Sequence, residues 1–167
     1  MNHKLDKALA LRKNGNHKES NELLSELVKE FPDDALYNYQ CAWSFDILGE
    51  EEKAVPFYEN AIKIGLPSKD MEGAILGLGS TYRALGEYEK SKDIFLTKDI
   101  FLKGMELFPD NHVIKVFYSM TLYNLKEHSQ AMELLLKCLL NTTNDNEILS
   151  YKKALHFYSD KLDQTWK

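Results

Sequence analysis

Cysteine and proline are scarce in this chain, which has two cysteines and four prolines among 167 residues. The cysteines, Cys41 and Cys138, stand among apolar neighbours. Two such residues are too few for a disulfide framework and are typical of buried thiols in a reducing compartment. The sequence therefore disfavours a small secreted domain held together by disulfides, and it predicts a cytoplasmic protein.

Long apolar runs and blocks of like charge are also missing. No segment approaches the roughly 18 apolar residues that a membrane-spanning helix needs, and the amino terminus lacks the apolar core of a secretion signal. The 21 basic and 26 acidic side chains are interspersed and give a net charge of −5. Nucleic-acid-binding proteins normally carry a basic stripe, which this sequence does not show. We therefore expect neither a membrane span nor a nucleic-acid partner.

What the chain does contain is helical periodicity with an internal repeat. Apolar residues recur at steps of three and four, which predicts an all-α protein with almost no strand. Four times, a turn position is followed five residues later by a small residue: Gly15 and Ser20, Gly49 and Ala54, Gly86 and Ser91, and Lys126 and Ala131. The turn positions are 34, 37 and 40 residues apart.

The first of these spacings is the period of the tetratricopeptide repeat, and the other two are three and six residues longer. A small residue also recurs in the first helix of each unit, at Ala8, Ala42, Gly79 and Ser119. On these positions the chain resembles the tetratricopeptide repeat (TPR) family across nearly its whole length. Runs such as GLGSTYRALGEYEKS and FPDNHVIKVFYSMTLYNL resemble its small, stand-alone bacterial members. The resemblance implies an α-solenoid of about four helix pairs in a right-handed superhelix, which acts as a protein-binding scaffold.

We predict a single domain over residues 1–167, with repeats at about 1–34, 35–68, 72–111 and 112–145 and a C-terminal capping helix over 145–163. Helices are expected near 3–14, 17–30, 34–48, 51–64, 111–125 and 128–141. The three extra residues of the second spacing are expected in a loop over 66–71. Lys126 replaces a turn glycine, and we expect a less sharp turn there.

The third repeat contains a tandem duplication: KDIFLT at 92–97 is followed at once by KDIFLK at 98–103. Six added residues rotate a helix by about 600°, which leaves it about a third of a turn out of phase. We expect one long helix from about 87 to 107 rather than an extruded loop. Its extra turns would expose Ile94, Phe95, Ile100 and Phe101, and such a patch would favour a homodimer.

In the TPR family the first helix of each pair lines a concave groove, and the resemblance implies the same here. The groove positions are then Leu5, Leu9 and Arg12 in repeat 1, Tyr39, Trp43 and Asp46 in repeat 2, Gly73, Gly77, Ser80 and Arg83 in repeat 3, and Val116, Met120, Tyr123 and Asn124 in repeat 4. Aromatic side chains beside glycines suit a peptide or a side chain. The candidate peptide-binding residues are Tyr39, Trp43, Asp46, Ser80, Arg83, Met120, Tyr123 and Asn124.

Each of these features also has a structural explanation. Aromatic residues at helical spacing are often core, and glycines such as Gly73 and Gly77 can serve only to let helices approach closely. Asp46 and Arg83 occupy equivalent positions in adjacent repeats, so they either pair with each other or contact a ligand. The clamp of lysine, asparagine and arginine that binds chaperone tails in some TPR domains is absent, because apolar and aromatic residues stand at the matching positions.

Catalysis finds no support in the sequence. No histidine and cysteine stand at metal-ligand spacing, and Gly77-Leu78-Gly79-Ser80 lacks the strand that precedes a phosphate-binding loop. We therefore expect no enzyme activity, no metal and no cofactor. Three functions remain open: a scaffold that binds a peptide or partner segment in its groove, a homo-oligomer assembled through the helix of repeat 3, and a small-ligand sensor, which would need a closed polar pocket.

The homo-oligomer hypothesis makes a direct prediction. Light scattering during size-exclusion chromatography should show a dimer for the intact chain and a monomer for a variant that lacks residues 98–103, because the deletion removes the added apolar turns. A monomeric intact protein at high concentration would exclude this hypothesis.

Overall fold

The structure is a computed structural model that describes residues 3–96 and 107–166. Within these ranges all regular secondary structure is α-helical, as the sequence predicts, and none of the described helices is long and apolar enough to cross a membrane. The helices are α1 (His3–Lys13), α2 (His17–Glu30), α3 (Ala35–Ile47), α4 (Glu51–Ile64), α5 (Ser68–Ala84), α6 (Tyr88–Leu96), α7 (His112–Asn124), α8 (His128–Thr142), α9 (Asn146–Ser150) and α10 (Lys152–Tyr158).

The turns inside the helix pairs share one backbone conformation. Gly15, Gly49 and Gly86 have φ angles of 84°, 71° and 79°. Lys126 has a φ of 68°, and it is the one residue other than glycine with a positive φ in the described part of the chain. The expectation of a less sharp turn at Lys126 is therefore wrong. The flanking helices impose the same left-handed geometry, and the lysine adopts it despite the steric cost of its Cβ.

The small residue that follows each turn lies where the two helices of a pair touch. Ser20, Ala54 and Ser91 are fully buried, and Ala131 is nearly so. The hydroxyl of Ser20 donates to the Ala8 carbonyl over 2.7 Å, and the hydroxyl of Ser91 donates to the Gly79 carbonyl over the same distance. The recurring small residues in the sequence thus mark the point where the two helices of a pair cross. In two of the pairs a serine at this point forms an equivalent hydrogen bond to a carbonyl of the first helix.

The helices bury two apolar clusters. A smaller cluster joins α1, α2 and α3 around Leu24 and Leu27, and a larger one runs from α3 to α8 through Tyr58, Ile75 and Ile114. This continuous stacking is the arrangement that a helical solenoid requires. Both cysteines are free and buried, as predicted, and burial raises the pKa of Cys41 to about 11.

Two boundaries differ from the sequence prediction. Residues 68–71 do not lie in a loop, because α5 begins at Ser68 and extends by an extra turn whose Met71 is buried in the core. Pro67 precedes this turn as the N-cap residue, and its carbonyl accepts the Met71 amide at 2.9 Å. The capping segment forms two short helices rather than one, since Tyr151 interrupts it, and neither helix contains a fully buried residue.

The prediction of a long helix from 87 to 107 falls only partly on described residues. Helix α6 is described from Tyr88 to Leu96, and the second copy of the duplicated hexapeptide lies outside the described residues. Of the four apolar residues proposed to be exposed, Ile94 packs against the larger core cluster instead. Ile100 and Phe101, together with the side chain of Phe95, lie outside the part that the structure describes.

The strained turn at Lys126 yields a stability prediction. Replacing Lys126 by glycine should raise the free energy of unfolding by about 0.5–1 kcal/mol. Glycine adopts a positive φ without the steric cost of a Cβ, and this gain exceeds the extra backbone entropy that glycine loses on folding. Urea unfolding followed by circular dichroism measures the change. Gly49→Ala, at the same φ, is the matched control and should lower stability. A loss of stability in K126G would contradict the turn geometry.

Candidate functional site

The predicted groove residues lie on three first helices: Tyr39, Trp43 and Asp46 on α3, Ser80 and Arg83 on α5, and Met120, Tyr123 and Asn124 on α7. Their exposure separates them. Trp43, Met120 and Tyr123 are large apolar side chains that remain 43%, 38% and 62% exposed, whereas Tyr39 is 9% exposed. Tyr39 is therefore mainly a core residue, and the other three present apolar surface to solvent.

Trp43 contacts both an aromatic ring and a cation. Its indole stacks on Tyr39, with ring centroids 6.2 Å apart and an interplanar angle of 22°, and the guanidinium of Arg12 lies 4.0 Å from its ring centroid. Arg12 Nη2 also donates to Gln40 Oε1. We name these four residues, Arg12, Tyr39, Gln40 and Trp43, the tryptophan cluster. Its contacts fix an exposed indole in one orientation, which is a favourable starting point for binding.

Arg12 itself is only partly satisfied. Its Nη1 atom is buried and has no hydrogen-bond partner in the described part of the chain. Burial lowers the pKa of the Arg12 guanidinium, although an arginine remains charged under any ordinary condition. The cluster therefore holds a cation with a free donor beside an exposed aromatic ring.

Asp46 does not form an ion pair with Arg83 in the described structure, so the first of the two alternatives for these residues is wrong. Its carboxylate accepts from the Tyr58 hydroxyl at 2.7 Å and lies 3.0 Å from Thr81 Oγ1. These bonds connect α3 to both α4 and α5. Burial raises the pKa of the Asp46 carboxyl, and the two hydrogen bonds oppose that shift. Asp46 is thus engaged inside the protein.

The glycines of α5 do not leave a hollow. A Cβ at Gly73 would overlap the Tyr39 hydroxyl oxygen and lie 3.1 Å from Tyr39 Cζ. A Cβ at Gly77 would lie 2.5–2.7 Å from three atoms of the Tyr58 ring and hydroxyl. Of the two explanations that the sequence leaves open, the geometry supports close packing, since tyrosines fill the space. The Ser80 hydroxyl donates to the Gly77 carbonyl of its own helix at 2.9 Å.

A second group of predicted residues meets in a cavity of about 320 Å³ between α5, α7 and α8, which we name the C-terminal pocket. It is lined by Arg83, Ser119, Met120, Tyr123, Asn124, His128, Ala131, Met132 and Leu135. Two of its polar atoms, Arg83 Nε and Asn124 Oδ1, are buried without a hydrogen-bond partner. An arginine and an asparagine, each with one unpartnered polar atom, therefore line one pocket whose other walls are mostly apolar.

A larger cavity, of about 460 Å³, lies between α4 and the helices that follow it, among residues such as Pro56, Glu59 and Asn60. Two of its polar side chains already have partners: Asn60 donates to Asn38, and Glu59 accepts from Tyr82. Since no buried polar atom without a partner belongs to the residues that line this cavity in the described part of the chain, we regard the C-terminal pocket as the better candidate. Nor do the described residues contain a group of three side chains that could hold a metal ion.

Sequence reasoning missed part of the site. The α8 side of the C-terminal pocket, with His128, Met132 and Leu135, lies on a second helix, where the repeat pattern predicts outward-facing residues. Arg12 was placed in the groove but not among the binding residues. Its position in the repeat could have indicated it as a binding residue, because Arg12 stands three residues before Gly15 just as Arg83 stands three residues before Gly86.

The contact between Gly73 and Tyr39 gives a test of the packing explanation. Gly73→Ala should lower the free energy of unfolding by about 1–3 kcal/mol through overpacking, although alanine favours a helix by about 1 kcal/mol. In a Tyr39→Phe background, where the overlapping oxygen is gone, the same change should cost much less or become stabilising. Chemical denaturation of the four proteins in this cycle measures the coupling. Stabilisation by G73A with Tyr39 intact would contradict it.

Comparison with known families agrees with this architecture. Residues 35–162 match the family described as tetratrico peptide repeat, and residues 5–34 match a second tetratricopeptide repeat family. A search of curated proteins finds no match. The first match alone spans well over half of the chain and covers α3 to α10. The chain therefore belongs to the tetratricopeptide repeat family.

Proposed function

We propose that this protein binds an extended peptide segment of a partner protein along its first helices, α1, α3, α5 and α7. Tetratricopeptide repeats are generally protein–protein interaction modules. The observation that carries the proposal is that Trp43, Met120 and Tyr123 expose apolar surface on these helices, next to buried polar atoms that have no partner.

The tryptophan cluster supplies the first anchor. Exposed tryptophan and arginine are the residue types that contribute most often to binding hot spots, and a side chain that is already held in place loses little entropy on binding. Trp43 meets both conditions, because Tyr39 and Arg12 contact its ring while almost half of its surface remains open.

The C-terminal pocket supplies the second anchor. Met120, Tyr123, Met132 and Leu135 form apolar walls around a volume that suits one large side chain. A peptide backbone carries one donor and one acceptor at each residue other than proline. Asn124 Oδ1 would accept the amide of one peptide residue, which leaves the Arg83 guanidinium for a second group of the ligand.

Asp46 has a different part in this proposal from the one that its position suggests. Because it already accepts hydrogen bonds from Tyr58 and Thr81, it stabilises the position of α3 against α4 and α5. It therefore shapes the surface around Trp43 rather than contacting the peptide.

The proposal can be tested with random 12-residue peptides displayed on phage and selected on the immobilised protein. Enriched peptides, made synthetically, should shift the emission of Trp43 to shorter wavelength in a Trp166→Phe variant, in which Trp43 is the only tryptophan. Trp43→Ala and Tyr123→Ala should each weaken binding by at least about tenfold, as hot-spot truncations do.

The matched control is Trp166→Ala, because Trp166 is 59% exposed and contacts Phe157 and Tyr158 rather than either anchor. It should leave affinity unchanged. Failure to enrich any peptide, or equal affinity for the wild-type protein and a folded W43A/Y123A variant, would rule out the proposed groove.

A further inference from the structure

The chain contains only two arginines, Arg12 and Arg83, among its 21 basic residues. Both lie in the last turn of a first helix, at the end of α1 and of α5. Each stands three residues before the turn glycine of its pair, Gly15 or Gly86. The two arginines therefore occupy the same position of the repeat, two helix pairs apart.

Their surroundings are also related. Arg12 reaches across to α3 and covers Trp43, and Arg83 lines the same pocket as Met120 on α7. Trp43 and Met120 are themselves equivalent, because each stands six residues before its turn position. In both places an arginine thus extends over the next first helix toward an exposed apolar side chain.

Each arginine also keeps a buried nitrogen without a hydrogen-bond partner: Nη1 of Arg12 and Nε of Arg83. Neither guanidinium takes part in an ion pair within the described ranges, whereas several lysines do, among them Lys4 with Glu26 and Lys92 with Glu127. Buried donors without a partner are rare in native proteins and costly, especially when charged. Two of them at equivalent positions favour a partner from outside the described residues.

We propose that Arg12 and Arg83 are two carboxylate-binding points of the groove, which select a peptide with two acidic side chains. The inference rests on the proposed function and names the chemistry of its ligand. A guanidinium presents a planar set of donors that matches a carboxylate, and it is more weakly hydrated than the ammonium of a lysine. It is therefore the better group for a partly buried ion pair.

The repeat geometry sets the spacing of the two acidic residues. Two steps from one first helix to the next, at about 8–10 Å each, place the arginines about 16–20 Å apart. An extended peptide advances about 3.3 Å per residue. The acidic side chains should therefore be separated by about five or six residues in an extended peptide.

Asp46 adds a constraint between the two points. It occupies the equivalent position on α3, between the helices that carry the arginines, and its carboxylate is engaged by Tyr58 and Thr81. It therefore leaves both arginines without a counterion, and its charge disfavours an acidic side chain in the middle of the peptide. The expected ligand has acidic residues at its two ends and neutral residues between them.

Selection of phage-displayed 12-residue peptides tests this chemistry. On the wild-type protein, enriched sequences should carry Asp or Glu at two positions about five or six residues apart. Arg12→Gln should remove the preference at one of these positions and Arg83→Gln at the other. The charge-matched control is Lys13→Gln, because Lys13 adjoins Arg12 and is exposed; it should leave both preferences intact.

Affinities of one enriched synthetic peptide complete the test. Each arginine variant should bind it at least about tenfold more weakly. Glutamine in place of the matching acidic residue should weaken binding to the wild-type protein but cause no further loss in that variant. Circular dichroism confirms folding, and Arg12→Lys, which keeps the charge without the planar fork, serves if R12Q does not fold.

The peptide selection distinguishes failure of the carboxylate inference from failure of the peptide-binding proposal. Enriched peptides that depend on Trp43 but lack paired acidic residues would overturn the carboxylate inference and leave the groove intact. Enrichment of no peptide would overturn both. Arginine variants that bind acidic peptides as tightly as the K13Q control would also overturn the inference.

Discussion

The hydrogen bond from Tyr58 to Asp46 is the contact on which the exposed surface of this protein depends. Tyr58 belongs to the second helix α4, yet its side chain is 2% exposed and passes between first helices to reach the Asp46 carboxylate. Its ring occupies space that exists only because residue 77 is a glycine. The Tyr58 ring also packs on Tyr39 at 6.3 Å between centroids. Contacts then continue from Tyr39 to Trp43 and from Trp43 to Arg12.

This series of contacts explains how a buried polar group supports an exposed aromatic one. A tryptophan that is 43% exposed would normally sample several rotamers, but here each neighbour is fixed by the next one inward. A rigid apolar surface has less entropy to lose when a partner binds. The C-terminal end is built differently, because there the exposed Tyr123 contacts His128, with ring centroids 4.7 Å apart, and α8 forms the second wall of the pocket.

The sequence predicted the helices and turns well because those features are encoded locally. Gly15, Gly49 and Gly86 mark turns through their own backbone freedom, and the recurring small residues mark helix crossings through their size. The start of α5 could not be read in this way, since the burial of Met71 depends on what lies across from it. The interruption at Tyr151 has no comparable signal in the sequence.

The site was predictable in position but not in chemistry. Repeat register predicts Trp43, Met120 and Tyr123 on the open side of the first helices, and all three side chains are exposed there. It could not distinguish an ion pair between Asp46 and Arg83 from the hydrogen bonds that Asp46 makes to Tyr58 and Thr81. The repeat register predicts where a residue lies along its own helix. The hydrogen-bond partner of that residue depends on which side chains of other helices reach it.

Backbone amide NMR on a complex with an enriched peptide would test the central claim most directly. The claim predicts that the amides with the largest shift changes belong to α1, α3, α5 and α7 and to the α8 wall of the C-terminal pocket. They should form a continuous path from Arg12 and Trp43 to Tyr123. Shift changes concentrated on α2, α4 and α6 would instead place the binding surface on the second helices and contradict the account.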